Sequence, residues 1–155
     1  MLRLSRLGDY ATVIMARLAR EPERRFSAAE LAAAVGVGPA TVSKLLKMLA
    51  REGLLVSHRG ARGGYALARP PEEITLAQII DAIEGRMSLT ECGLMAGLCS
   101  QEAGCQVRSA WLRINETVRN ALDTVKLADF ARPASEPVLL VETVRGVPGR
   151  RGTQT

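Results

Sequence analysis

Histidine occurs once, at His58, and no cysteine lies outside the stretch from Cys92 to Cys105. That scarcity removes the paired Cys and His spacings of common zinc fingers. It also leaves no nucleophile–base pair of the kind that marks an enzyme. Aromatics are as sparse, with two Phe, two Tyr and one Trp. The apolar 47% is therefore mainly Ala, Leu and Val, which favours closely packed helices. No apolar run approaches the ~20 residues that a membrane span needs. Arg3, Arg6 and Asp9 interrupt the N-terminus, so the apolar core of a signal peptide is missing too. A cytoplasmic chain with no membrane partner is expected, where clustered thiols more often hold metal than form structural disulfides.

Charge is present and unevenly placed. Residues 1–70 carry 12 Lys/Arg against 5 Asp/Glu, a net +7, while residues 71–155 carry 9 against 11, a net −2. A basic first half on a nearly neutral second half implies a polyanionic partner for the first half only.

Local signals divide the chain into elements. Ser5 can cap a first helix with Leu7, Ala11, Ile14 and Leu18 at helical spacing, ending at Glu21-Pro22-Glu23. Ser27-Ala28-Ala29-Glu30 is a capping box opening a short helix through Val35, which Gly36 stops. Pro39 suits the first turn of a third helix running to about Glu52, with Gly53 as its stop. Leu54 to His58 and Tyr65 to Ala68 read as strands around a cationic hairpin tip, Arg59-Gly60-Ala61-Arg62-Gly63-Gly64. After Pro70-Pro71, a helix runs from Thr75 or Leu76 to about Glu84, with Leu76, Ile79, Ile80 and Ile83 on one face. Gly85 to Gly104 reads as irregular, with the cysteines in it or at its edge. A long helix spans Arg108 to Val125, and Trp111, Ile114, Val118, Ala121, Leu122 and Val125 form the seam of a helix that pairs with another. The expected fold is mainly α: a winged helix-turn-helix over residues 1–70, and a cysteine loop with a dimerisation helix over 71–132. A disordered tail is expected over 133–155, where Val138 to Val144 could form a strand or docking segment.

Two stretches point to nucleic acid. Leu31-Ala32-x3-Gly36-Val37-x3-Thr41-Val42-Ser43-x2-Leu46 has helix-turn-helix spacing, with small Ala32 permitting close packing and Gly36 making the turn. With Val42, Leu45, Leu46 and Leu49 inward, Ala40, Ser43, Lys44, Lys47 and Arg51 face out. Thr41 and Ser43 can approach base edges, and Lys44 and Lys47 suit phosphates or guanine. Arg59 and Arg62 on a thin glycine-rich tip can reach a minor groove.

The cysteines supply the second chemistry. Cys92-x6-Cys99-x5-Cys105, with Gly93, Gly97 and Gly104 between, suits a loop wrapped around something bulkier than one ion. Clustered thiolates bind soft metals or an iron–sulfur cluster. Three thiolates leave a ligand position unfilled, and His58, on the expected wing, is a poor candidate for it. The chain thus reads as a metal- or cluster-sensing transcription factor. A structural zinc ion in a constitutive DNA-binding or scaffold protein is the alternative from another class.

These residues resemble the Rrf2 family of bacterial iron–sulfur transcription regulators over roughly Met1 to Pro133. The likeness rests on Leu4-Ser5-Arg6-Leu7-Gly8-Asp9-Tyr10-Ala11, on Arg59-Gly60-Ala61-Arg62-Gly63-Gly64-Tyr65, and on the cysteine triplet. Asp9 to Met15 and Leu89-Thr90-Glu91-Cys92 look most like regulators of the SUF iron–sulfur assembly system. The resemblance implies a homodimer with crossing C-terminal helices that grips a palindromic operator. It also implies an iron–sulfur cluster, [2Fe–2S] or [4Fe–4S], on Cys92, Cys99 and Cys105 plus a non-cysteine ligand. Regulators of the ISC system place a histidine three residues after the third cysteine, where this chain has Arg108. A nitric-oxide-sensing relative uses an aspartate on the partner subunit's first helix, and Asp9 matches that slot; Glu91 and Glu102 are weaker candidates. Ser43 stands where ISC regulators carry an acidic residue, so a different operator is expected. The function implied is repression of iron–sulfur assembly genes, with nitric oxide or redox-stress sensing as the alternative.

Overall fold

The computed structural model describes residues 4–60, 63–95, 97–100 and 102–131, the side chains of Cys92 and Glu102 excepted. Arg62 and the expected tail, with its Val138 to Val144 segment, lie outside the described residues.

Helix α1 (Arg6–Ala19) starts where the Ser5 hydroxyl accepts the Gly8 amide at 3.1 Å. Helix α2 (Ala28–Val35) opens on the capping box: the Ser27 amide donates to the Glu30 carboxylate at 2.7 Å, and the Glu30 amide to the Ser27 hydroxyl at 3.1 Å. Both ends of that exchange satisfy amides with no partner inside the helix. Gly36, at φ 69°, terminates α2 in a left-handed conformation that a side chain disfavours. Helix α3 (Pro39–Arg51) then leaves at a 116° bend from α2. A short turn and a near-perpendicular exit are the geometry of a helix-turn-helix.

The end of α3 explains a one-residue difference from expectation. Leu54 was expected to begin a strand, but its amide donates to the Leu49 carbonyl at 3.0 Å and that of Gly53 to Ala50 at 3.1 Å. This paired closure, with Gly53 at φ 72° and Leu49 and Leu54 both buried, is a Schellman end. Strand β1 (Leu55–His58) therefore starts one residue later. It pairs antiparallel with β2 (Gly64–Leu67) from Leu55 opposite Leu67 to His58 opposite Gly64. Phe26 bridges Tyr65 through reciprocal backbone bonds of 2.8 and 2.9 Å, fastening the hairpin to the loop before α2.

After a 3-10 turn at Pro71–Glu73, helix α4 (Leu76–Glu84) opens on a second capping box, Thr75 with Gln78. Its inward face is rotated from the expected stripe. Ala77, Ile79, Ile80 and Ala82 are buried, while Leu76 and Ile83 are half-buried. The helix lies among α1, α3 and the later long helix. The stretch from Gly85 to Gly104 is not wholly irregular as expected. It holds helix α5 (Glu91–Leu94) and a 3-10 turn at Glu102–Gly104.

Helix α6 (Arg108–Thr124) buries none of its residues fully. Its expected seam divides: Trp111, Ile114 and Ala121 are exposed, whereas Val118, Leu122 and Val125 are half-buried. An unforeseen helix, α7 (Leu127–Ala131), follows and packs on α1. One hydrophobic core results, containing Ile14, Leu18, Leu31, Leu46 and Leu49 together with Ile74, Ile79 and Leu127. No single helix among the described residues is long and apolar enough to cross a membrane.

Candidate nucleic-acid interface and cysteine loop

Burying Val42, Leu45, Leu46 and Leu49 turns the opposite face of α3 outward. Ala40, Lys44, Lys47 and Arg51 are exposed there, and Thr41 and Ser43 are half-buried near the start of the helix. Ala40, Ser43, Lys44, Lys47, Met48 and Arg51 line one shallow groove. Among the described residues neither Lys44 nor Lys47 has an ion-pair partner, so both ammonium groups are available to an anion.

Other cations of the basic half are committed to structure. Arg17 and Arg24 lie over the Phe26 ring, at 4.7 and 4.4 Å from its centroid, and both bind Glu21 at 2.7 and 3.0 Å. Those two hydrogen bonds hold the Glu21 carboxyl below its ordinary range. The arginines thus brace Phe26, whose backbone fastens the hairpin at Tyr65. At the tip Arg59 is exposed beside Gly60, whose φ is 105°, and the Gly63 amide closes the turn onto the Gly60 carbonyl at 2.9 Å. His58 is half-buried at the strand end, away from the cysteines in sequence and element.

Cys92 lies in α5, and its side chain lies outside the described part. Cys99 and Cys105 are half-buried free thiols. Cys105 leads directly into α6, its carbonyl accepting the Arg108 amide at 3.3 Å. Asp9 is exposed in the first turn of α1, and Glu91 is exposed at the start of α5. Among the described residues no three His, Cys, Asp or Glu side chains gather as a metal site, so one chain does not bring Asp9 to the two described thiols. The donors nonetheless fit the group implied by the cysteine pattern: the half-buried thiols of Cys99 and Cys105 are soft ligands that suit iron or a cluster.

Two features escaped sequence reasoning. The Glu84 carboxylate, at the last residue of α4, accepts the Ser5 amide at 2.9 Å, and Gly8 leaves it room. The α1 turn bearing Asp9 is thereby tied to the segment that enters the cysteine loop. The second is a salt bridge of 2.7 Å between Arg119 on α6 and Asp81 on α4. The Asp81 hydrogen bond holds the Arg119 guanidinium above its ordinary range. Neither residue type carries a sequence signal, because each pairing joins distant parts of the chain.

Comparison with known proteins extends these observations. Residues 4–133 match the Rrf2 family model, described as an iron-dependent transcriptional regulator. Protein rrf2 of Nitratidesulfovibrio vulgaris is 29% identical over 135 residues, covering 86% of this chain and 90% of that one. The structure of CymR, the global cysteine regulator of Bacillus subtilis, aligns at TM-score 0.66 and 32% identity over 84% of this chain and 97% of the other. T. potens IscR aligns at TM-score 0.63 and 29% identity, over 83% of this chain and 85% of its own. These relatives are of CymR and IscR type rather than specifically SUF regulators, so the narrower likeness is not shown by them. On the family match over nearly all the described residues, with the winged helix-turn-helix that carries it, this chain belongs to the Rrf2 family of transcriptional regulators and is not an enzyme.

Proposed function

We propose that the chain is a dimeric, cytoplasmic repressor of iron–sulfur assembly genes, of the SUF type, whose DNA binding is governed by an iron–sulfur cluster. The observation that carries this is the joining of two parts. A winged helix-turn-helix presents Lys44 and Lys47 with no ion pair among the described residues, and a stretch containing every cysteine of the chain connects α4 to α6, with α5 packed on α6. In this arrangement α3 enters the major groove of a palindromic operator. Thr41 and Ser43 face bases, Lys44 and Lys47 face phosphates, and Arg59 and Arg62 enter the adjoining minor groove.

Cys92, Cys99 and Cys105 would hold the cluster, with Asp9 of the second subunit as the remaining ligand. Asp9 supports that role by being exposed at the helix end that Glu84 anchors. A bound cluster supplies a redox- and ligand-sensitive link between thiolates and a hard carboxylate, the weaker of the two bonds. The same exposure of Asp9 favours an exchangeable position, which also suits nitric oxide or redox stress as the signal.

Anaerobic purification tests this directly. A brown protein containing iron and sulfide is expected, and Cys92→Ala, Cys99→Ala and Cys105→Ala should each lose most of the iron while far-UV circular dichroism stays helical. A colourless protein containing zinc would replace this reading with a constitutive zinc-stabilised DNA-binding protein.

A further inference from the structure

The helix that was expected to supply an apolar seam also carries a polar stripe, Asn115, Arg119 and Asp123, one residue per turn. Each of the three contacts a different part of the chain. The Asn115 carboxamide oxygen accepts the Leu89 amide at 2.8 Å, and its nitrogen donates to the Thr90 hydroxyl at 3.3 Å. Arg119 binds Asp81 at 2.7 Å, and the other oxygen of Asp81 accepts the Met87 amide at 3.4 Å. Asp123 accepts the Thr75 hydroxyl at 3.0 Å, at the cap of α4.

The first of these contacts is made two and three residues before Cys92. Next to it, Gly93 packs so tightly that an added Cβ would collide with the Asn115 carboxamide and the Ser88 hydroxyl. Gly93 has no positive φ, so close approach, not backbone freedom, demands glycine there. The colliding carboxamide cannot swing away freely, since both its ends are hydrogen-bonded. The Ser88 hydroxyl is likewise engaged, donating to the Thr90 carbonyl at 2.8 Å. Segment 88–93 is therefore locked onto one side chain of α6.

We propose that Asn115 is the positioning residue of the cysteine site. It fixes the Cys92-bearing turn against α6, with Gly93 as the gap that lets it do so. Arg119 and Asp123 on the same stripe tie that register to the DNA-binding unit through α4. The proposal rests on the cluster reading above. A group that orients a ligand without touching the metal still governs metal retention, by a typical 10–100-fold on mutation.

The test uses the full chain, purified anaerobically and reconstituted with ferrous iron and sulfide. Asn115→Ala should keep the far-UV spectrum, lose hydrogen-exchange protection at the Leu89 amide, alter the visible circular dichroism of the cluster, and lose it in air about 10-fold faster or more. Asn115→Asp, which keeps an acceptor for the Leu89 amide, should recover much of the wild-type lifetime. Gly93→Ala should be as harmful as Asn115→Ala, and the double variant should be little worse than either, because both disrupt one contact. Wild-type protein that holds no iron and sulfide overturns the cluster reading and this proposal with it. A wild-type cluster whose visible spectrum and lifetime are unchanged by Asn115→Ala overturns the positioning role alone.

Discussion

At the scale of single residues, the cations of the basic half separate into two populations. Arg17 and Arg24 are occupied by Phe26 and Glu21, whereas Lys44 and Lys47 are exposed and have no ion pair among the described residues. Net charge therefore overstates what DNA would meet. Lys47→Ala should weaken binding to all operators alike and reduce the slope of log K against log salt by about 1, as loss of one phosphate contact does. Arg59→Ala should instead discriminate, costing most where A·T-rich sequence narrows the groove under the wing. Titrations at several salt concentrations on two operators separate the cases. A sequence-selective loss for Lys47→Ala would place that ammonium group on a base.

At the scale of elements, short-range signals were readable and long-range ones were not. The Ser27 and Glu30 box, Gly36, Pro39 and Gly53 each act within a few residues of themselves, and all form as their chemistry requires. Helix α7 has no comparable signal. It has five residues, too few to be stable alone, and exists because Leu127 is fully buried in the shared core. The Leu127 amide also donates to the Ile74 carbonyl at 2.8 Å, and Leu76 donates to Val125 at 2.9 Å, so the chain leaving α6 is stitched to the start of α4. Leu127→Ala should cost about 2–5 kcal/mol in urea unfolding, the usual range for a buried leucine. An effect below about 0.5 kcal/mol, the range of surface substitutions, would mean that α7 is not part of the folded core.

At the scale of the molecule, what remains uncovered is informative. Trp111 is 38% exposed and Ile114 43% exposed on α6, and Leu94, Met95, Leu98 and Val107 are exposed around the cysteine loop. A second copy crossing at α6 would cover these groups and present two α3 helices to half-sites ~10 bp apart. Trp111→Glu should thus give a folded monomer by sedimentation that no longer binds an operator saturated by wild type. The same geometry makes Asp9 testable across subunits. Asp9→Ala alone should shorten the life of the cluster, and mixing Asp9→Ala with Cys99→Ala subunits should restore one intact site per heterodimer. Failure of that mixture to recover any cluster, with both parents dimeric, would return the ligand to its own chain, to Glu91 or Glu102, or to solvent.

Sequence alone determined what depends on neighbours along the chain: helix ends, the hairpin, the outward face of α3, and the soft-ligand chemistry of three clustered cysteines. These follow from caps, glycines and periodicity, which act over one or two turns. Tertiary structure alone decided how those parts are joined. Asn115 meets Leu89 across 26 residues, Asp123 meets Thr75 across 48, and Glu84 meets Ser5 across 79. An asparagine, an aspartate or a glutamate on a helix has the same local energetics whether it faces water or a distant amide. Only the packing of α4 on the first helices, and of α6 on α4, chooses the partner, and that choice places the segment leading to Cys92.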